Sequence, residues 1–311
     1  MLASYSFSLE PTPPFRLDLT AWILCRRPDN LVDRWDGQVY RRVLVLNDKP
    51  VEIEVTQVSA PDAPRLKVIL NGAGADPGLE PLASAALERL LGIRIDLSEF
   101  YRFAESRADL KYLADRFQGS KPPRFPTYFE TLANAIACQQ LSLTVGIRLL
   151  NRLSQAYGQS LRTEAGVFYS FPRPEDLAGA QVEDLRQIGY SNQKGRYLIG
   201  LAQAIADRQL NLDEIEILED SAAIEQLRSI KGVGRWTAEY FLLRGLGRTH
   251  IFPGDDVGAR NHLQRWLGLP DRLDYTSVHQ TLADWSGYGG LVYFHLLLKS
   301  LAETGNILEF E

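Results

Sequence analysis

Leu227-Arg228-Ser229-Ile230-Lys231-Gly232-Val233-Gly234-Arg235-Trp236-Thr237-Ala238, continued by Glu239 to Leu243, is the stretch whose reading decides the fold. Leu227, Ile230, Val233, Ala238 and Leu242 are spaced to close a small apolar contact between two helices, with a glycine pair reversing the chain between them. Glycine at Gly232 and Gly234 keeps side chains away from a place where positive backbone angles and the close approach of an anion are both needed. The second helix begins with unpaired amides and the positive end of its dipole, an arrangement suited to a phosphate. On glycine spacing alone, an ordinary turn accounts for the pair as well as an anion site does.

Working outward, residues after about 95 carry almost no strand signal. Apolar residues recur at three and four, as in Phe129, Leu132, Ala133 and Ile136, then Leu141, Val145, Leu149 and Leu153, so a helical bundle is expected. Before that point the pattern is strand-like: Arg16-Leu17-Asp18-Leu19 alternates, Gln38 to Leu46 is rich in β-branched residues, Val51 to Val55 alternates strictly, and Arg65 to Leu70 gives a further strand. Asn47-Asp48-Lys49 suits a hairpin turn, and a helix is expected from about Leu79 to Leu91. The expected fold is therefore α+β, with an antiparallel sheet lobe over residues 1–95 and an all-helical domain over 96–311.

Composition limits the chemistry. A chain of 311 residues, 45% hydrophobic and 23% charged, can build substantial cores. No segment reads as a secretory signal or a membrane span, so a non-secreted protein of the cytoplasm or nucleus is expected. Cys25 and Cys138 are too few for a disulfide framework or a four-thiolate site, and the four histidines include no pair at a helical metal-ligand spacing, so no metal is expected. A net charge of -5 argues against a uniformly basic DNA-binding surface but not against a local one. Candidates for such a face are Arg148 with Arg152, Lys194 with Arg196, and Lys231 with Arg235.

The full string from Leu227 to Ala238 resembles the helix-hairpin-helix element of the HhH-GPD DNA glycosylase superfamily, in the form found in 3-methyladenine DNA glycosylase II. The matches extend over about residues 125 to 300. The resemblance implies two helical subdomains with a DNA cleft between them and Gly232, Gly234, Arg235 and Lys194 at the phosphates. The segment Ile136-Ala137-Cys138-Gln139-Gln140-Leu141-Ser142 resembles the part of the family that supplies a wedge into the space left by a flipped base, at Gln140 or Leu141, with Leu141 as a plain core residue at helical spacing the competing reading. Gly189 to Arg196 resembles a third family segment, with Ser191 as a helix cap. At most a monovalent cation at the hairpin is implied as cofactor, and the implied partner is double-stranded DNA containing damaged bases, bound by a monomer.

In Ile251-Phe252-Pro253-Gly254-Asp255-Asp256-Val257 the second aspartate aligns with the family's catalytic position. Asp256 also directly precedes a helical pattern, so a plain N-cap is the competing reading, and the two are compatible. Cleaving a purine from deoxyribose builds positive charge on the sugar, which a fixed carboxylate stabilises most in the transition state. Asp255 reads as a supporting cap or a solvent-facing residue. Trp236 and Tyr240 share a helical face, a spacing that core packing explains on its own; with the resemblance they form an aromatic base pocket suited to cationic alkylated purines. Trp236 also occupies the position of the lysine nucleophile in the 8-oxoguanine and endonuclease III branches, so the resemblance implies a monofunctional enzyme that leaves an abasic site.

The expected activity is release of 3-methyladenine and 7-methylguanine. The alternatives are a glycosylase for an oxidised or deaminated base and a noncatalytic DNA-binding protein. The chain departs from the alkylpurine pattern at Val257, at Leu297 near an aromatic pocket position, and over Trp285 to Gly290, which puts the range of bases in question.

Overall fold

The computed structural model describes residues 3–163, 165–285 and 287–305 and has an α+β architecture. Its first lobe is a sheet of β1 (Ala3–Leu9), β2 (Arg34–Trp35), β3 (Val39–Leu46), β4 (Lys49–Gln57) and β5 (Leu66–Gly72), all antiparallel in the order β1-β5-β4-β3-β2. Val51, Ile53 and Val55 of β4 and Leu66, Val68 and Leu70 of β5 are buried with α1 (Leu17–Cys25) and α2 (Glu80–Leu91). Asn47 and Asp48 join β3 to β4 with φ of 47° and 59°, the left-handed pair that a two-residue hairpin turn of matching twist requires.

Two local readings are corrected. Arg16-Leu17-Asp18-Leu19 is not a strand but the start of α1, because its short alternation runs into Thr20, Ala21, Ile23, Leu24 and Cys25, which are buried on nearly every side. A helix lying between two cores satisfies that pattern, and a strand with one wet face does not. Leu17, Ala21 and Leu24 join the sheet core, whereas Leu19 and Ile23 join the core of the C-terminal helices. Strands also continue past residue 95: β6 (Ser160–Thr163) and β7 (Gly166–Tyr169) form a small hairpin too short for periodicity to reveal.

The remaining helices are α3 (Ser98–Glu105), α4 (Ala108–Arg116), α5 (Tyr128–Cys138), α6 (Leu143–Tyr157), α7 (Pro174–Leu177), α8 (Val182–Gln187), α9 (Asn192–Ala206), α10 (Asp220–Arg228), α11 (Arg235–Phe241), α12 (Val257–Trp266), α13 (Tyr275–Thr281) and α14 (Gly289–Glu303). They pack around two cores. One gathers side chains of α5 to α11, and the other those of α3 and α4 with α12 to α14, so the chain enters the second core, leaves it and returns. The crossing point is the π-turn Leu242–Leu246 that continues α11: Leu242 belongs to the first core and Leu243 to the second.

Ionic and polar groups also join these layers. Buried Arg42 of β3 pairs with Asp33 at 2.7 Å and with Glu130 of α5 at 2.5 Å, tying sheet to helices. In the C-terminal core His295 is 1% exposed, lies 5.1 Å from the Phe100 ring, and donates from Nδ1 to the Leu291 carbonyl at 2.8 Å in its neutral form. Burial lowers its pKa to about 4. Trp285 packs on Trp266 and Tyr288 on Phe103, so the sequence from Trp285 to Gly290 contributes core contacts; Ser286 within it lies outside the described residues. No helix among the described residues is long and apolar enough to cross a membrane, and no three His, Cys, Asp or Glu side chains there gather as a metal site.

Candidate active site

The hairpin forms where the sequence placed it. Leu227, Val233, Ala238 and Leu242 are buried in one core with Ile230 packed against it, and they hold α10 and α11 on either side of Gly232 and Gly234. The two glycines differ in what they are for. Gly232 has φ of 89°, and a Cβ there would stand 2.4 Å from Cδ2 of Tyr197, so the fold itself excludes a side chain. Gly234 is exposed with φ of -91°, and a Cβ there would meet nothing within 4 Å. Nothing within the protein requires glycine at the second position.

Asp256 stands at the start of α12 and divides its carboxylate between two tasks. Oδ1 accepts from the Ala259 amide at 2.9 Å as the N-cap. Oδ2 accepts from the Trp236 indole Nε1 and from the Tyr293 hydroxyl, each at 3.2 Å. The cap fixes the orientation of the group, and the second oxygen faces the aromatic side chains. Trp236 and Tyr240 lie with ring centroids 5.5 Å apart and planes 34° apart, so they touch each other with no slot between them and form one aromatic wall, in which Trp236 is half-buried and Tyr240 buried. Behind that wall Tyr240 packs with Phe125 and Ala135.

Tyr293 is a site residue that the sequence reading misses. The aromatic of α14 that reaches Asp256 lies four residues before Leu297, on the same face of the helix. Burial, with the Asp256 carboxylate beside it, pushes the Tyr293 hydroxyl well above its ordinary pKa, so it stays a donor. Glu239 is also missed. It is 3% exposed, accepts from the Gly254 amide at 3.0 Å and from the Tyr275 hydroxyl at 2.7 Å, and so anchors the Pro253-Gly254 turn leading to Asp256 onto α11.

Asp255 is neither a cap nor free in solvent. It accepts from Arg235 Nε at 2.7 Å, and the Arg235 guanidinium lies 3.5 Å over the Tyr275 ring. Arg235, read from the sequence as a phosphate ligand, is therefore held against its own protein by an ion pair and a ring. Lys194, read the same way, also has another engagement: its Nζ donates to the Ala137 and Gln139 carbonyls at 2.8 and 2.7 Å, at the C-terminal end of α5. Of the charged candidates near the hairpin, Lys231 is exposed and has no ion-pair partner among the described residues. Gln140 and Leu141 follow α5 at the surface, Gln140 with φ of 55° and Leu141 42% exposed. Val145 is 41% exposed as well, so the apolar stripe that continues into α6 leaves the core at its first turn.

The family model described as HhH-GPD superfamily base excision DNA repair protein matches residues 133–287. The chain is 30% identical over 175 residues to DNA-3-methyladenine glycosylase 1 of Schizosaccharomyces pombe, covering 55% of this chain and 70% of that protein. It is 28% identical to DNA-3-methyladenine glycosylase 2 of Escherichia coli over 85% of this chain and 88% of the relative. Its fold superposes with TM-score 0.82 and 26% identity on a 3-methyladenine DNA-glycosylase from Archaeoglobus fulgidus, over 94% of this chain and 97% of the other. From hairpin, aspartate and these relatives together, the chain belongs to the HhH-GPD superfamily of base excision DNA repair proteins and is a DNA glycosylase, a hydrolase of N-glycosyl bonds.

Proposed function

We propose that this glycosylase is monofunctional and releases alkylated purines, 3-methyladenine and 7-methylguanine, from duplex DNA. The observation that carries the reading is the divided carboxylate of Asp256, with one oxygen held by the helix start and the other beside Trp236 and Tyr293. As the bond from C1′ to the base breaks, its electrons leave with the purine and the sugar becomes cationic. A carboxylate already fixed beside the aromatic wall stabilises that charge with little reorganisation. Water then adds at C1′, and Asp256 Oδ2 is the group placed to orient it and accept its proton.

The rest of the machinery serves extrusion. Backbone amides at Gly232 and Gly234 take a phosphate, and the duplex lies where the hairpin of one helical core meets Asp256 at the start of α12 in the other. Gln140 or Leu141 fills the gap left in the stack. The Trp236 and Tyr240 wall binds a cationic base more strongly than a neutral one, by about 0.5 to 2 kcal/mol for a ring and a cation. The test is base release from duplexes carrying 3-methyladenine, 7-methylguanine, 1-methyladenine, hypoxanthine, ethenoadenine or 8-oxoguanine. Fast release of the first two supports the reading, and exclusive release of 8-oxoguanine or of no base at all overturns it.

A further inference from the structure

The segment Gly189 to Arg196, which the catalytic account leaves unused, lies against the wedge turn, and the next residue, Tyr197, lies against the hairpin. Ser191 caps α9 by accepting from the Lys194 amide at 3.2 Å. That places Lys194 under the end of α5, where its Nζ holds the Ala137 and Gln139 carbonyls immediately before the left-handed turn at Gln140. Burial lowers the Lys194 pKa. One turn further along α9, Tyr197 fills the space beside Gly232 that a side chain there would occupy. Gln193 donates from Nε2 to the Tyr197 hydroxyl at 2.6 Å. The third side of the triangle is closed by Gln139, whose Nε2 donates to the Gly232 carbonyl at 2.8 Å and to the buried Thr237 hydroxyl at 2.9 Å.

Lys194 thus ties the wedge turn to the start of α9 and Gln139 ties it to the hairpin, both by hydrogen bonds, while the Tyr197 ring packs α9 against Gly232. On the reading of the site proposed above, from which this inference follows, the hairpin grips a phosphate and the wedge enters the base stack, two points on the DNA whose separation is set by the duplex. We propose that Lys194 and Gln139 are positioning residues that brace the wedge turn against the hairpin, so that they govern base flipping and not the strength of DNA binding. A flexible wedge still lets the hairpin bind phosphate. It fills the vacated space less often, and a small displacement of a positioned group costs about a hundredfold in rate. Lys194 then contributes nothing to counterion release, although its charge and its place in the motif suggest a phosphate contact.

The test uses the full chain with Lys194→Met, Lys194→Arg, Gln139→Met and wild type, each checked for its thermal melting point. Three quantities are read on one duplex carrying 7-methylguanine beside 2-aminopurine: affinity as a function of salt, the fluorescence rise when the neighbouring base unstacks, and single-turnover release. Lys194→Met and Gln139→Met are expected to bind undamaged duplex within about twofold of wild type with an unchanged salt slope, while fluorescence rise and release fall by about tenfold or more. Lys194→Arg, which keeps donors for the carbonyls, restores both. A salt slope lower by about 0.9 in Lys194→Met marks a phosphate contact and overturns the brace. So does a wild-type fluorescence rise in both methionine variants. Absence of release by wild type, with flipping intact, rejects the proposed substrate and leaves the brace to be judged on fluorescence. A variant whose melting point collapses is replaced by its partner in the triangle, since Gln139 and Lys194 make the same prediction through different bonds.

Discussion

Replacing Asp256 by Asn leaves an oxygen to cap Ala259 and exchanges the charged acceptor Oδ2 for an uncharged NH2 facing Trp236 and Tyr293, a change confined to the site, so the fold and DNA affinity are expected to survive. Single-turnover base release should fall by about 10² to 10⁴, the scale for losing a positioned catalytic group. Asp255→Asn should cost far less, because that carboxylate is engaged by Arg235 rather than by the aromatic wall. Equal losses in the two variants would remove Asp256 from its assigned role. A second expectation concerns the product: on the proposed monofunctional reading, borohydride should trap no covalent protein–DNA complex, and the strand should stay intact until alkali cleaves the abasic site. At this scale the sequence discloses residue types and leaves partners hidden. Asp256 reads both as cap and as catalyst because a carboxylate has two oxygens, and here each has its own partners. Lys194 reads as a free cation because nothing in the order of residues reveals that α5 ends above it.

The hairpin is the element on which DNA affinity should turn, and its two glycines separate folding from binding. Gly232→Ala forces a side chain into Tyr197 at a left-handed position, and a loss of about 1 to 3 kcal/mol in unfolding free energy is expected from chemical denaturation. Gly234→Val has open space and an ordinary backbone angle, so the melting point should change little while affinity for duplex DNA falls by about tenfold to a hundredfold, as for one or two lost hydrogen bonds to a charged group. Affinity unchanged in Gly234→Val would separate the hairpin from DNA. The hairpin is legible in sequence because its apolar residues and glycines are local to one stretch. Helix α1 is not, because its burial comes from two partners distant in the chain, and a four-residue alternation cannot distinguish that from one covered face. Tyr293 is hidden for a related reason: the register of α14 against α12 is set by packing, which no local pattern in the sequence discloses.

Across the whole molecule, stability should depend on acid through His295. Its pKa lies at about 4 in the fold against 6.5 for a free imidazole, so the buried neutral ring contributes fully above pH 6.5 and that contribution is lost as pH falls toward 4. The loss amounts to about 3 kcal/mol at about 1.4 kcal/mol per pH unit. In His295→Gln the unfolding free energy should fall less steeply over the same interval, measured by denaturant titration at a series of pH values. An unaltered slope would show that other groups govern acid sensitivity. Helix α1 bears on a different matter, namely where this chain can be cut. Its Leu19 and Ile23 lie in the C-terminal core while its Leu17, Ala21 and Leu24 lie beneath the sheet, so one short helix is common property of both ends of the polypeptide. A fragment begun at residue 96 would keep the hairpin, Asp256 and Trp236 and still carry an open apolar wound where α1 had been. The sheet lobe is thus no detachable accessory: a gene trimmed to its catalytic motifs would encode a sticky, loosely packed product.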